Sequence, residues 1–267
     1  TAGEIAGARV REGTLVVTAI QFDHTRVRAS EVAVSTPDES FAAGEALSRA
    51  LVDDELAHVF VLSEGLLVNG SQLARGLRTV LPTNVAVTGG LAGDGDRFER
   101  TLVSFDGPPR QGRVVGVGLY GDRLRVGFGS VGGWDPYGPD RTVTKADRNV
   151  LFELDGEPAL DLYIRYLGDA AARLPASGLL FPLRIRLPDS GRELVRTILS
   201  IDEAARSLTF AGDVPVGSTA RLMKANFDRL IDGAAAAAAH SALAQETIDL
   251  AILISCLGIV PGAGIGA

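Results

Sequence analysis

The chain has a single cysteine, Cys256, so it cannot close a disulfide within itself. A disulfide-stapled secreted scaffold needs several, and a reducing compartment, the cytoplasm, is the expected setting. Histidine is also scarce: His24, His58 and His240 stand far apart without companion cysteines, which leaves a zinc site unsupported. Long hydrophobic runs are missing too. Residues 250–255 form one of the longest, well short of the roughly 20 residues that a spanning helix requires, and no basic region with an apolar segment opens the chain. Excess basic charge is absent, since Lys and Arg number 26 against 33 Asp and Glu, a formal net charge of -7. Nucleic acid and acidic membrane surfaces are therefore poor partners.

What is present is a chain of 267 residues, 46% hydrophobic and 22% charged, enough for two moderate cores. Residues 14–22 and 26–34 read as strands joined near Asp23 and His24, and residues 41–52 as a helix. A buried strand over residues 57–62 leads to Asn69, Gly70 and Ser71, whose turn and cap chemistry starts a helix that Pro82 closes. Residues 84–88 continue as a strand into the glycine-rich segment 89–95, read as a loop. Residues 113–120 and 123–130 suggest a hairpin turning at Gly121 and Asp122. Residues 132–147, with Trp134, Pro136, Gly138 and Pro139, suit a linker or surface loop, and the domain boundary is placed near Thr144. Beyond it come a helix from Pro158 to Gly168 and strands at 183–187, 194–201, 207–210 and 220–223. An alanine-rich helix through residue 239 and a covered strand at 250–254 complete the chain.

Few motifs carry chemistry. GVGLYG, with Gly116, Gly118 and Gly121, matches a dinucleotide fingerprint in letters only, because a strand and not a helix is expected to follow. The 89–95 loop sits where ligands bind in α/β folds, and contact with a ligand and a plain tight turn are equally open for it. No phosphate-loop lysine follows it. Asp94 and Asp96 lack the rest of a calcium loop and read as solvated acids. Glu4 is either a capping residue or a pocket carboxylate. His58 reads as a partly buried residue with a local hydrogen bond. Cys256 reads first as an inert core residue, with pocket-lining and nucleophilic roles as alternatives. No GxSxG elbow surrounds Ser130. Trp134 clamps its loop to the body or faces a ligand.

In order along the chain, TAGEI, VLSEGLLVNGS, VTGGLAGDG, GGWDPYG, ELDGEPALDLYIRYLG, FAGDVPVGSTARLMKAN and LAILISCLG resemble the FIST family over almost the whole length. TAGEI looks like the end of a longer motif. The resemblance implies a FIST N-terminal-type domain over residues 1–144, its start truncated, and a FIST C-terminal-type domain over residues 145–267. It implies a mixed α/β fold of two similar halves, their sheets packed together with helices outside. It further implies ligand-binding roles for Glu4, Asn69, Gly89, Gly90, Asp94 and Cys256.

The expected function is an intracellular small-molecule sensor in signal transduction, cytoplasmic and not an enzyme, with an amino acid or related metabolite as ligand. Downstream signalling proteins are the expected partners, and no cofactor or metal is expected. The alternatives are a haem-binding gas sensor with one histidine as axial ligand, a Cys256-dependent enzyme and a protein-docking scaffold.

Overall fold

The computed structural model describes residues 4–6, 9–11, 13–242 and 247–255. The fold is mixed α/β, as expected, and divides into two compact units, Thr1–Val126 and Gly127–Ala267.

The first unit opens with an antiparallel ribbon of β1 (Glu4–Ala6) and β2 (Arg9–Arg11). Then come β3 (Arg26–Ala33), α1 (Ser40–Leu51), β4 (Leu56–Ser63), α2 (Gly70–Val80), β5 (Ala86–Leu91) and β6 (Arg113–Tyr120). The sheet order is β3-β6-β4-β5. β4 and β5 are parallel with α2 as their crossover, and β6 is antiparallel to both β3 and β4. Alternation along β4 sends Val59 and Val61 into the core with Leu47, Leu51, Leu73 and Leu77, and turns His58 and Phe60 to the opposite face. The two helices meet backbone to backbone: a Cβ on Gly44 would lie 2.7 Å from Leu77 N, and one on Gly76 3.0 Å from Glu45 N.

The glycines of GVGLYG serve packing as well. A Cβ on Gly116 would stand 2.8 Å from Leu47 and 2.9 Å from Leu51 of α1. The hairpin expected beyond them does not form, because β6 already has β3 on one side and β4 on the other, with no edge left for residues 123–130. Gly121 N instead donates to Glu55 O at 2.9 Å. Residues 14–22 are irregular, with Leu15 and Val17 exposed, since strand-forming composition yields a strand only where a ladder partner stands. The loop expected over residues 89–95 starts later: β5 runs through Gly89 and Gly90 to Leu91, and residues 92–95 leave it as irregular chain. Gly89 adopts φ +146 and approaches β4 so closely that a Cβ would run into the Val61 carbonyl.

The second unit contains β7 (Trp134–Asp147), β8 (Val150–Leu154), β9 (Glu157–Pro158), α3 (Ala159–Leu167) and β10 (Leu183–Arg186). It continues with β11 (Glu193–Arg196), β12 (Ile198–Asp202), β13 (Ser207–Phe210), β14 (Thr219–Ala225) and α4 (Phe227–Ser241). Its sheet is eight-stranded, ordered β11-β10-β14-β7-β8-β13-β12 with β9 on β8. β11 and β12 stand at opposite ends of that order, yet Thr197 alone separates them in the chain. The sheet therefore curls until its two ends meet. Leu151, Leu183, Ile185, Ile198, Leu208, Phe210 and Leu222 fill the core with Leu160, Leu162 and Tyr163 of α3.

Three expectations are corrected here. The segment read as a linker or surface loop, residues 132–147, is largely the long strand β7, which includes Thr144. Its prolines are accommodated by a bulge: Pro136 pairs with Met223 and Asp140 with Arg221, so Tyr137, Gly138 and Pro139 together face Leu222. Arg221 Nε closes the bulge by donating to Gly138 O at 2.7 Å. The strand read over 194–201 is broken at Thr197, where the chain passes from one end of the sheet to the other. Residues 250–254 form no strand; Leu250, Ile252, Leu253 and Ile254 are exposed, with no ladder partner among the described residues.

Candidate functional site

β4 and β5 end side by side and point the same way, which is where the backbone of an α/β sheet diverges and leaves room for a ligand. The loop after β4 is organised by Glu64, which has no exposed surface. Its Oε2 accepts from Leu66 N at 3.0 Å and Leu67 N at 2.6 Å, and Oε1 accepts from the Thr101 hydroxyl. Thr101 Oγ1 in turn accepts from Gly65 N at 2.8 Å. Ala92 N donates to Ser63 O at 2.7 Å and Glu64 N to Arg113 O at 2.8 Å. The chain leaving β4 is thereby fastened to the chain leaving β5 and to β6.

Asn69 caps α2, as its sequence position predicts. Its Oδ1 accepts from Ser71 N at 3.0 Å and Gln72 N at 3.2 Å, and its own N-H donates to Ser40 Oγ at 2.9 Å. Asp94 is not a solvated acid. Its Oδ1 accepts from Arg97 Nε at 3.1 Å, while Oδ2 accepts from Glu99 N at 3.2 Å and Arg100 N at 3.0 Å. The Arg97 hydrogen bond, with those of the two amides, holds the Asp94 carboxyl below the usual carboxylate range. Gly89 and Gly90 stand opposite Val61 and Leu62 in the parallel ladder.

Four of the sequence-predicted residues, Asn69, Gly89, Gly90 and Asp94, thus belong to one end of the β4–β5 pair. Asn69, Gly89 and Asp94 each have an internal structural role there. Glu4 lies elsewhere, on β1, where Oε2 accepts from Thr14 Oγ1 at 3.0 Å. Cys256 lies outside the described residues. Glu64 stands directly after an apolar strand and before a glycine, a signal legible in the sequence that the motif comparison does not single out; Thr101 carries none.

His58 is 3% exposed, and its Nε2 is bonded to Thr88 Oγ1 at 2.9 Å, the local hydrogen bond expected of it. Its Nδ1 is buried with no hydrogen-bond partner among the described residues, and burial pushes the imidazole pKa below its ordinary value. His24 and His240 are exposed. Among the described residues no group of three or more His, Cys, Asp or Glu is placed to hold a metal ion, and no helix is long and apolar enough to cross a membrane.

The second unit has open space of its own. A groove of about 550 Å³ lies where β7, β14 and the start of α4 meet. Asn226 organises it: Oδ1 caps α4 by accepting from Arg229 N at 3.2 Å, and Nδ2 donates to Asp135 Oδ2 at 2.7 Å. Arg229 Nε lies 2.7 Å from Asp135 Oδ1.

These features define a two-unit α/β chain with a parallel β-α-β element in one unit and a curled, largely antiparallel sheet in the other. The FIST N domain matches residues 1–157 and the FIST C domain residues 159–263, and the chain belongs to the FIST family, whose domains are sensory domains of signal transduction. The N-domain match runs past the first structural unit to the start of β9. No curated protein matches the chain.

Proposed function

We propose that this chain is the ligand-sensing, non-catalytic part of a cytoplasmic signalling system, and that it recognises a small polar molecule of the amino-acid or related metabolite class. The observation that carries the reading is the pair of family matches, which together run almost end to end. The parallel β4–β5 pair supports it, because Glu64 and Thr101 fix the loops that leave those strands and so provide a preorganised rim. Asn69, Gly89, Gly90 and Asp94 act as the frame of that rim. Glu4 and Cys256 remain candidates for ligand contact by the family resemblance.

Thermal unfolding against an amino-acid and metabolite library is the test. A ligand that binds only the native state raises the melting temperature, by a stabilisation that grows with the logarithm of its concentration above Kd. The expected outcome is a dose-dependent increase with at least one compound, and a flat response throughout at millimolar concentration overturns the reading.

A further inference from the structure

The groove beside α4 has a composition that selects one kind of guest. Tyr137 on β7 and Phe227 at the start of α4 are 46% and 49% exposed, two large rings left half in solvent on one lining. Lys224 Nζ stands 5.6 Å from the centre of the Tyr137 ring and has no carboxylate partner among the described residues. Of the acids nearby, Asp135 is engaged by Asn226 and Arg229, and Asp228 sits in the first turn of α4, where the helix dipole favours it. The volume falls within the range of small-molecule sites, about 300–1,000 Å³.

We propose that this groove binds an aromatic monocarboxylate. The guest's ring lies against Tyr137 and Phe227, where aromatic pairs gain from offset or edge-on contact, and its carboxylate meets Lys224. A single negative charge is selected. Among the described residues the groove offers one cation without an ion-pair partner, and Asp228 on its border repels a second anionic charge. Asn226 is a positioning residue, because it ties Asp135 to the start of α4 and so fixes the distance between the two rings' supporting elements. The site goes beyond the sensory reading in naming a second place, within residues 135–228, and a ligand chemistry for it.

Phenylacetate titrated into the full chain is the experiment, read by the emission of Trp134, the sole tryptophan, which precedes Asp135 and pairs with Ala225 of the groove. A saturable change is expected. Acetate and benzyl alcohol, which each lack one of the two features, are expected to bind about tenfold more weakly or less, as is phenyl phosphate with its greater charge. Lys224→Gln and Tyr137→Leu, both surface changes checked for native circular dichroism, should each weaken phenylacetate by about tenfold, whereas Arg49→Gln in the first unit leaves it unchanged. An absence of saturation, an unchanged affinity in Lys224→Gln, or preference for phenyl phosphate overturns the proposal. If phenylacetate fails while another metabolite raises the melting temperature, this inference falls and the sensory reading stands. A flat response to both removes both.

Discussion

Thr101 donates its hydroxyl hydrogen to Glu64 across 37 residues of sequence, and the same oxygen accepts the amide hydrogen of Gly65. One side chain therefore satisfies a fully buried carboxyl and a buried main-chain donor at once. Nearly all buried polar groups in native proteins find partners, and leaving one unmade costs the full desolvation of that group.

Thr101→Val keeps the shape and removes both bonds, so it is expected to destabilise the protein by about 1–3 kcal/mol, with Thr101→Ser close to the parent. Urea denaturation of the three proteins checks this. Equal midpoints for Val and Ser would mean that the hydroxyl holds nothing.

Gly89→Ala is expected to be severe. The residue has φ +146, which side-chain-bearing residues rarely adopt, and its Cβ would run into Val61 of the neighbouring strand. A loss of roughly 1–3 kcal/mol or more follows from the backbone alone. Gly107→Ala is the control, since its nearest neighbour, Phe105 O, stands at 3.8 Å, and that variant should melt with the parent. Melting curves of the two variants side by side decide the matter.

The buried imidazole of His58 gives stability a pH dependence with a definite sign. Its folded pKa lies below the unfolded value of 6.5, so the unfolded chain binds the proton more readily. Stability from this group is intact above about pH 6.5 and is lost as the pH falls from there toward the folded pKa. His58→Gln keeps an amide near Thr88 and does not titrate. The drop in unfolding free energy between pH 7.5 and pH 5.5 should be smaller in the variant than in the parent, and an equal drop in both would falsify the assignment.

Asp94 holds its loop by charge and by two amide bonds. Its folded pKa lies below the ordinary carboxylate value, so this anchor is present above that ordinary value and is lost as acid protonates it through the folded pKa. Asp94→Ala should speed hydrogen exchange at the amides of Glu99 and Arg100 while exchange at the core strand β4 stays as it was. Unaltered exchange at those two amides counts against the anchor.

Elements whose cause is local were readable along the chain. α2 follows from the Asn69 cap and the stripe of Leu73 and Leu77, α3 from Pro158 at its start and Gly168 at its end, and α4 from its alanines. Strands failed where pairing was the cause. Residues 14–22, 123–130 and 250–254 have strand composition with no ladder partner among the described residues, and β7 has linker composition with partners on both sides.

The candidate site divides in the same way. The Asn69 cap is a sequence-local fact, since Ser71 and Gln72 lie two and three residues on, whereas the close approach of Gly89 to Val61 and the hydrogen bond of His58 to Thr88 depend on the adjoining strand. The bond from Thr101 to Glu64, the curl that joins β11 to β12 through Thr197, and the meeting of Tyr137 with Lys224 depend on which strands lie side by side. The sequence by itself determined the charge, the missing disulfide, the helices and the family. Only the tertiary structure decided the strand order and the partners of the buried polar groups, because ladder hydrogen bonds join residues whose distance in sequence carries no information about their distance in space.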